Sequence, residues 1–338
     1  MEAPETLYGS DEQGLVWGYA FTPGETARPI NCKDAAALLA TEDRSDKDTF
    51  VWLHFSLSNT SAVPWLKRHL PLPDAFYDDL HETVGATRVE QNEETLVAVV
   101  HDILFDFAFD PAAIATLRLC IGPRFMISAR LRPLRSVDRL RASVRSGTTF
   151  RSPAELLADL MHDQADVLVQ VIRRTTSKVD HIEDSLLANR VSSNRSELSN
   201  LRRLLVRLQR LLAPEPAALF RLLSRPPGWI LDADLQDLRE ASEEFSTAVQ
   251  DSLALTERIK ILQEELSALV TEQSNRTLYV LTVVTVLALP INLVAGLFGM
   301  NVGGIPLSES AHGFFIIVAI LLSLTTFFAV RTLGRREK

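Results

Sequence analysis

Three asparagines sit in or beside the most apolar stretch of this chain, and an amide oxygen is a fit partner for a hydrated cation. The stretch runs from Thr277 to Phe298 without a charged residue; Asn292 lies inside it, and Asn275 and Asn301 flank it. As a helix it is long enough to cross the hydrocarbon core of a bilayer. A second pattern lies within it. Asn275, Leu278, Thr282, Thr285, Leu289, Asn292, Gly296 and Gly299 follow one another at alternate steps of three and four, the spacing that keeps residues on one face of a helix. Most of that series is polar or tiny, while the rest of the helix is Leu, Val, Ile, Ala and Phe. Amides and hydroxyls are costly in lipid, so this face is expected to meet protein or water. Two arrangements meet that demand. Small and polar residues can glue two helices together, or several copies can surround a wet pore with Asn292 and Asn301 as rings of amide oxygens. Spacing alone supports both equally.

The exit from the helix adds to this. It ends in Gly299-Met300-Asn301, followed by Val302-Gly303-Gly304-Ile305-Pro306 and a second apolar run from Phe314 to Val330. A Gly-Met-Asn motif after the first of two closely spaced apolar runs, behind a long charged region, resembles the CorA/ZntB family of divalent-cation transporters, which carries that signature in that place. Residues 302–306 look more like the zinc-transporting ZntB branch than the magnesium branch, which has aromatic and acidic residues there. The resemblance implies an α/β cytosolic domain, then long helices and two C-terminal transmembrane helices, assembled as a CorA-like funnel-shaped homopentamer. It implies that Gly299, Met300 and Asn301 select the ion as it enters, Asn301 acting through the hydration shell. It also implies stimulation by a proton gradient, although the apolar runs offer no convincing proton carrier.

Chemistry pulls partly the other way. Bare zinc prefers His and Cys ligands, and the first span has neither. Neutral oxygens suit hydrated magnesium, or any hydrated divalent ion. The loop after the motif has Glu309 and His312 as its only titratable side chains. Repeated around a ring, Glu309 would concentrate cations at the mouth, and zinc could meet His312 there.

Composition bounds the rest. The 338 residues carry a net charge of −8, which argues against a nucleic-acid partner. Cys32 and Cys120 lie far apart, outside any metal-binding spacing, and are expected to be reduced and buried or half-buried. The segment MEAPETLYGSDEQG lacks an apolar core, so no cleavable signal peptide is expected. No Walker loop is present, which makes a nucleotide-driven pump unexpected, and His81-Glu82 lacks the second His of a zinc-protease motif. Neither catalytic residues nor a resident cofactor are expected; the divalent ion is cargo. His162 with Asp166, and Asp180 with Asp184 beside His181, share helix faces that could hold regulatory metal, though a solvated face is the plainer reading. His54 and His101 lie on expected strands and read as core histidines.

These residues need elements to hold them. Residues 1–150 read as a cytosolic α/β domain with at least five strands, among them Leu15–Phe21, Phe50–Phe55, Thr95–Phe107, Thr116–Gly122 and Arg124–Arg130. Residues 151–230 read as a cytosolic helical hairpin that starts at Ser152-Pro153. No Gly or Pro occurs from Ala233 through Leu289, so a stalk over 231–276 should continue straight into a first transmembrane helix over 277–301. An external loop (302–312), a second transmembrane helix (313–331) and a cytosolic tail (332–338) complete the layout. Arg276, Arg331, Arg335, Arg336 and Lys338 flank the spans and the loop has no Lys or Arg, which places both termini in the cytoplasm of a cell whose plasma membrane holds the protein. So long a helix needs partners along its length; the pentamer itself comes from the resemblance. The basic Arg202–Arg210 helix is a natural neighbour for the acidic stalk. A rival reading, a membrane-anchored sensor or scaffold without ion flux, leaves the polar face unexplained.

Overall fold

The computed structural model describes residues 9–40, 49–78, 80, 87–104, 113–188, 194–300 and 312–333. Asn301, Glu309, His81-Glu82, residues 302–311 and the tail from 334 lie outside them. The elements in chain order are β1 (Leu15–Phe21), β2 (Arg28–Pro29), α1 (Cys32–Ala40), β3 (Phe50–Ser56), α2 (Ala62–His69), α3 (Asp74–Tyr77), β4 (Arg88–Asn92), β5 (Thr95–Ile103), β6 (Ile114–Gly122), β7 (Phe125–Arg130), α4 (Arg135–Arg145), α5 (Pro153–Leu187), α6 (Asn194–Leu212), α7 (Pro214–Ser224), α8 (Asp232–Phe298) and α9 (Gly313–Leu333). By their contacts they form two units, residues 1–262 and 263–338, with the boundary inside α8.

The first unit is built on a seven-stranded sheet in the order β2-β1-β3-β7-β6-β5-β4. β3 and β7 run parallel, with Leu53 opposite Ile127, and the other neighbours are antiparallel. Apolar residues occupy both faces of the central strands, so both faces need cover. Phe50 and Trp52 of β3 join Leu117 and Leu119 of β6 under α4, α5, α7 and the start of α8. Val51, Leu53 and Phe55 face the opposite way, under α1 and α2. The five expected strands are present, the one expected over Thr95–Phe107 as β5 to Ile103, with residues 105–107 outside the described ones. β2 and β4 escaped the sequence reading because they are short edge strands without apolar alternation: β4 is Arg-Val-Glu-Gln-Asn. Gly122 leads into the expected tight hairpin, paired with Phe125.

Local chemistry sets the helix ends. Asn31 caps α1 by accepting the backbone N–H groups of Lys33 and Asp34 at 2.9 and 3.0 Å. Ser152 caps α5 by accepting the Glu155 N–H at 2.9 Å, with Pro153 in the first turn. Pro214 cannot donate the next helical bond, so α6 gives way to a separate helix, α7, at that point. α8 is continuous for 67 residues, as the absence of Gly and Pro through Leu289 implies. The acidic first part of α8 finds its charge partners mostly on α5 and the turn before it. Arg151 pairs with Asp234 at 2.8 Å and with Asp237. His162 pairs with Glu244 at 2.8 Å. Arg258 of α8 reaches back to Asp180 at 2.8 Å and to Glu183. From the basic α6, Gln209 donates to the Ser252 carbonyl at 2.8 Å and to Thr256 Oγ1 at 2.7 Å, both on α8.

The second unit contains the rest of α8 and α9. None of the apolar window of α8 is buried within the chain. α9 is apolar from Gly313 to Phe327.

Candidate functional site

All seven positions expected to line a pore, Asn275, Leu278, Thr282, Thr285, Leu289, Asn292 and Gly296, fall on the single helix α8, and all are exposed. At 3.6 residues per turn they occupy an arc of about 100° on one side of it. The hydroxyls on this face satisfy themselves. Thr282 donates to the Leu278 carbonyl and Thr285 to the Leu281 carbonyl, each at 2.8 Å, the usual bond back along a helix. Thr277, before the face begins to turn apolar, does the same to Gln273 at 3.0 Å. Their oxygens keep acceptor capacity, but they do not require a neighbour. The amides differ: among the described residues, neither Asn275 nor Asn292 has a side-chain partner. A Cβ added at Gly296 would meet nothing within 4 Å. That glycine is therefore not needed by the chain's own packing; it leaves room beside the helix.

Pro290 interrupts the helix's bonding at the same depth. It lacks an N–H, so the Val286 carbonyl loses its helical donor. In a bilayer a bared carbonyl is stable only beside protein or water. The helix end then tightens. Gly299 N–H donates to the Ala295 carbonyl at 3.0 Å and Met300 N–H to the Leu297 carbonyl at 3.4 Å, a closing turn that leaves the Met300 side chain exposed. His312 is exposed and its carbonyl accepts the Ile316 N–H at the start of α9.

The other candidate clusters resolve into ordinary pairs. His162 bonds Glu244, Asp166 bonds Arg139 at 2.7 Å, and Asp180 bonds Arg258. Among the described residues no three His, Cys, Asp or Glu side chains come together as a metal site. Both cysteines are buried and free, and burial pushes each thiol up to about 12. His54 is a core residue, as expected. Arg130 Nε donates to its Nε2 at 2.7 Å, so the ring's hydrogen sits on Nδ1 and is given to Ser128 Oγ at 2.7 Å. Burial, with Arg130 and Arg141 nearby, holds its pKa well below the usual range. His101 is buried too, but it belongs to a cluster that no sequence pattern announces. Glu215 and Asp102 are buried carboxylic acids beside it. Neither has an i+3 or i+4 partner that would mark it; only the packing of α7 beside β4 brings Glu215 to His101 of β5.

The family model described as CorA-like Mg2+ transporter protein matches residues 47–335. The divalent cation transporter CmaX of Pseudomonas aeruginosa is 29% identical over 319 residues, 94% of this chain and 95% of that protein. The zinc transport protein ZntB of Yersinia pestis is 27% identical over 273 residues, 81% of this chain and 83% of that protein. The solved full-length CmaX structure superposes with a TM-score of 0.80 over 96% of this chain and 99% of that one, at 27% identity. The CorA magnesium transporter of Methanocaldococcus jannaschii shares the fold, with a TM-score of 0.73 at 16% identity over 92% of this chain and 96% of that one. An α/β first unit and a long helix that ends in an unburied apolar segment are thus features this chain has in common with transporters: it belongs to the CorA-like family of divalent-cation transporters.

Proposed function

We propose that the chain moves zinc, with its water shell largely in place, through a pore lined by α8 in a homopentamer. The observation that carries this reading is the exposed face of α8, where two unpartnered amides and an open glycine stand in line within a segment the chain does not bury. In this reading α8 from residue 277 and α9 are the two membrane spans, the loop between them is external, and both termini are in the cytoplasm. Gly299, Met300 and Asn301 form the entry ring, with Glu309 and His312 at the mouth. Amide oxygens hold a hydrated ion by bonding its waters without stripping them. No nucleotide is needed: a divalent ion entering a negative interior gains about 4.6 kcal/mol per 100 mV, twice the single-charge value. Zinc is favoured by the relatives named for zinc transport and by the Gly-Gly-Ile-Pro that follows the motif. Magnesium is the second reading, and the stripe's lack of His and Cys favours it.

The test is uptake into proteoliposomes under an inside-negative potential, zinc against magnesium, with parent and Asn301→Ala compared. Zinc uptake that excess magnesium fails to suppress, and that the substitution abolishes without loss of the oligomer, supports the reading. Magnesium uptake that zinc does not compete with supports the second. Parent-level flux in the Asn301→Ala variant refutes the entry ring.

A further inference from the structure

The turn between α6 and α7 is stitched to the end of β5 by a buried set of polar groups. β4 begins at Arg88, opposite Val99 of β5. Two residues further along β5 lies His101. Its N–H donates to Glu215 Oε1 at 2.6 Å, and its carbonyl accepts from Gln164 Nε2 of α5 at 3.1 Å. Side chains from two helices thus bond both backbone groups of His101. A second stitch lies beside the first. Pro214 interrupts the helical bonding at the turn, and the nearby Leu211 carbonyl accepts the Thr87 hydroxyl at 3.1 Å. Thr87 has one proton and spends it there, so its 3.0 Å contact with His101 Nδ1 is a bond that the imidazole donates. His101 Nδ1 is in turn 3.7 Å from Glu215 Oε1.

Both His101 and Glu215 have side chains 1% exposed, yet among the described residues Glu215 Oε2, His101 Nε2 and Gln164 Oε1 are buried without a partner. A fully ionised carboxylate is a poor fit to such a site, because only one of its oxygens is bonded and water is excluded. A neutral carboxyl fits far better. We propose that this elbow is a proton-controlled latch: Glu215 holds the α6–α7 turn on the end of β5 while protonated and loosens it on ionising.

The surrounding charges set the range. Burial is the largest influence and raises Glu215 to about 7; the bonds and charge of His101 oppose it, and Asp102 adds to it. Asp102, itself raised to about 6 by burial, is occupied by Ser136 through its N–H and hydroxyl at 3.0 and 2.8 Å. From the other elements packed here, α5 brings the neutral Gln164, the segment before β4 brings Thr87, and Arg88 is turned to the Ala75 carbonyl at 2.8 Å. The sign follows. A carboxyl whose pKa is higher in the closed form than in the open one holds its site best at low pH and loses hold as pH rises. Taking the ordinary value of 4.5 for the open form and about 7 for the closed form, opening of the elbow should rise about tenfold between roughly pH 6 and 8, then level off.

Hydrogen exchange on the full chain in lipid nanodiscs reads this directly. Rates for peptides covering 214–224, divided by their intrinsic rates at each pH, should rise about tenfold across that window in the parent. Glu215→Gln keeps the acceptor for the His101 N–H and cannot titrate, so its curve should be flat. Infrared difference spectra should show a protonated carboxyl that disappears over the same window in the parent and is missing its titrating part in the variant. A flat exchange ratio in the parent overturns the latch even if the variant fails to fold. An equal rise in parent and Glu215→Gln overturns the role of Glu215.

Discussion

Arg151→Ala is expected to destabilise the first unit through a residue on another helix. Arg151 precedes the cap of α5, and its Nε donates to Asp234 Oδ1 at 2.8 Å while its other nitrogens reach Asp237 and, at 3.1 Å, Glu155. Asp234 is 0% exposed, whereas Arg151 is 40% exposed. Truncating the arginine leaves a buried carboxylate with the Ser152 hydroxyl, 2.6 Å from its Oδ2, as the remaining described partner. Breaking a fully buried pair costs about 3–5 kcal/mol. Here the exposed side of the pair is screened and water can follow into the gap, so about 2–3 kcal/mol is expected. For a unit of this size that lowers Tm by about 4–12 °C. The companion variant isolates the cause. In Arg151→Ala with Asp234→Asn the buried charge is gone, so about half of the lost Tm should return. The assay is thermal unfolding of the full chain in detergent, followed by circular dichroism at one scan rate for all variants. A double variant as unstable as the single one, or a single variant that melts with the parent, refutes the argument that an uncompensated Asp234 is the source of the cost.

Three further outcomes test the proposed pore and its mouth. Asn292→Leu should reduce ion uptake at least about tenfold while the oligomer persists, because a ring of leucines dewets a pore; an oligomer that falls apart instead would show a helix-to-helix amide contact, worth about 0.6–2 kcal/mol. Thr285→Val should leave assembly on size-exclusion chromatography unchanged, since that hydroxyl already bonds the Leu281 carbonyl; dissociation would show that it bonds a neighbour. Glu309→Gln should lower uptake mainly at low ion concentration and low salt, as attraction over a screened distance requires; a loss that salt does not alter would point to direct coordination.

The sequence by itself determined the parts of this protein that depend on near neighbours in the chain. The uncharged run from Thr277 to Phe298, the eight residues at alternate steps of three and four, and the absence of Gly and Pro from Ala233 to Leu289 are all local patterns. The long helix with a polar face follows from them, because helix period and helix breaking act over a few residues. The cap at Ser152 and the apolar strands are legible for the same reason. Tertiary structure decided what depends on contacts between distant segments. β2 and β4 join the sheet because a neighbour offers them a free edge, although their own residues carry no strand pattern. The acids of α8 meet Arg151 and His162, more than 70 positions away. The sequence shows their charges but not which cation packing will place beside them. Glu215 looks like any acid in a first helical turn. Only the break at Pro214 and the packing of α7 beside β4, which carry its carboxyl to the His101 N–H, make it a buried acid that holds its proton near neutrality.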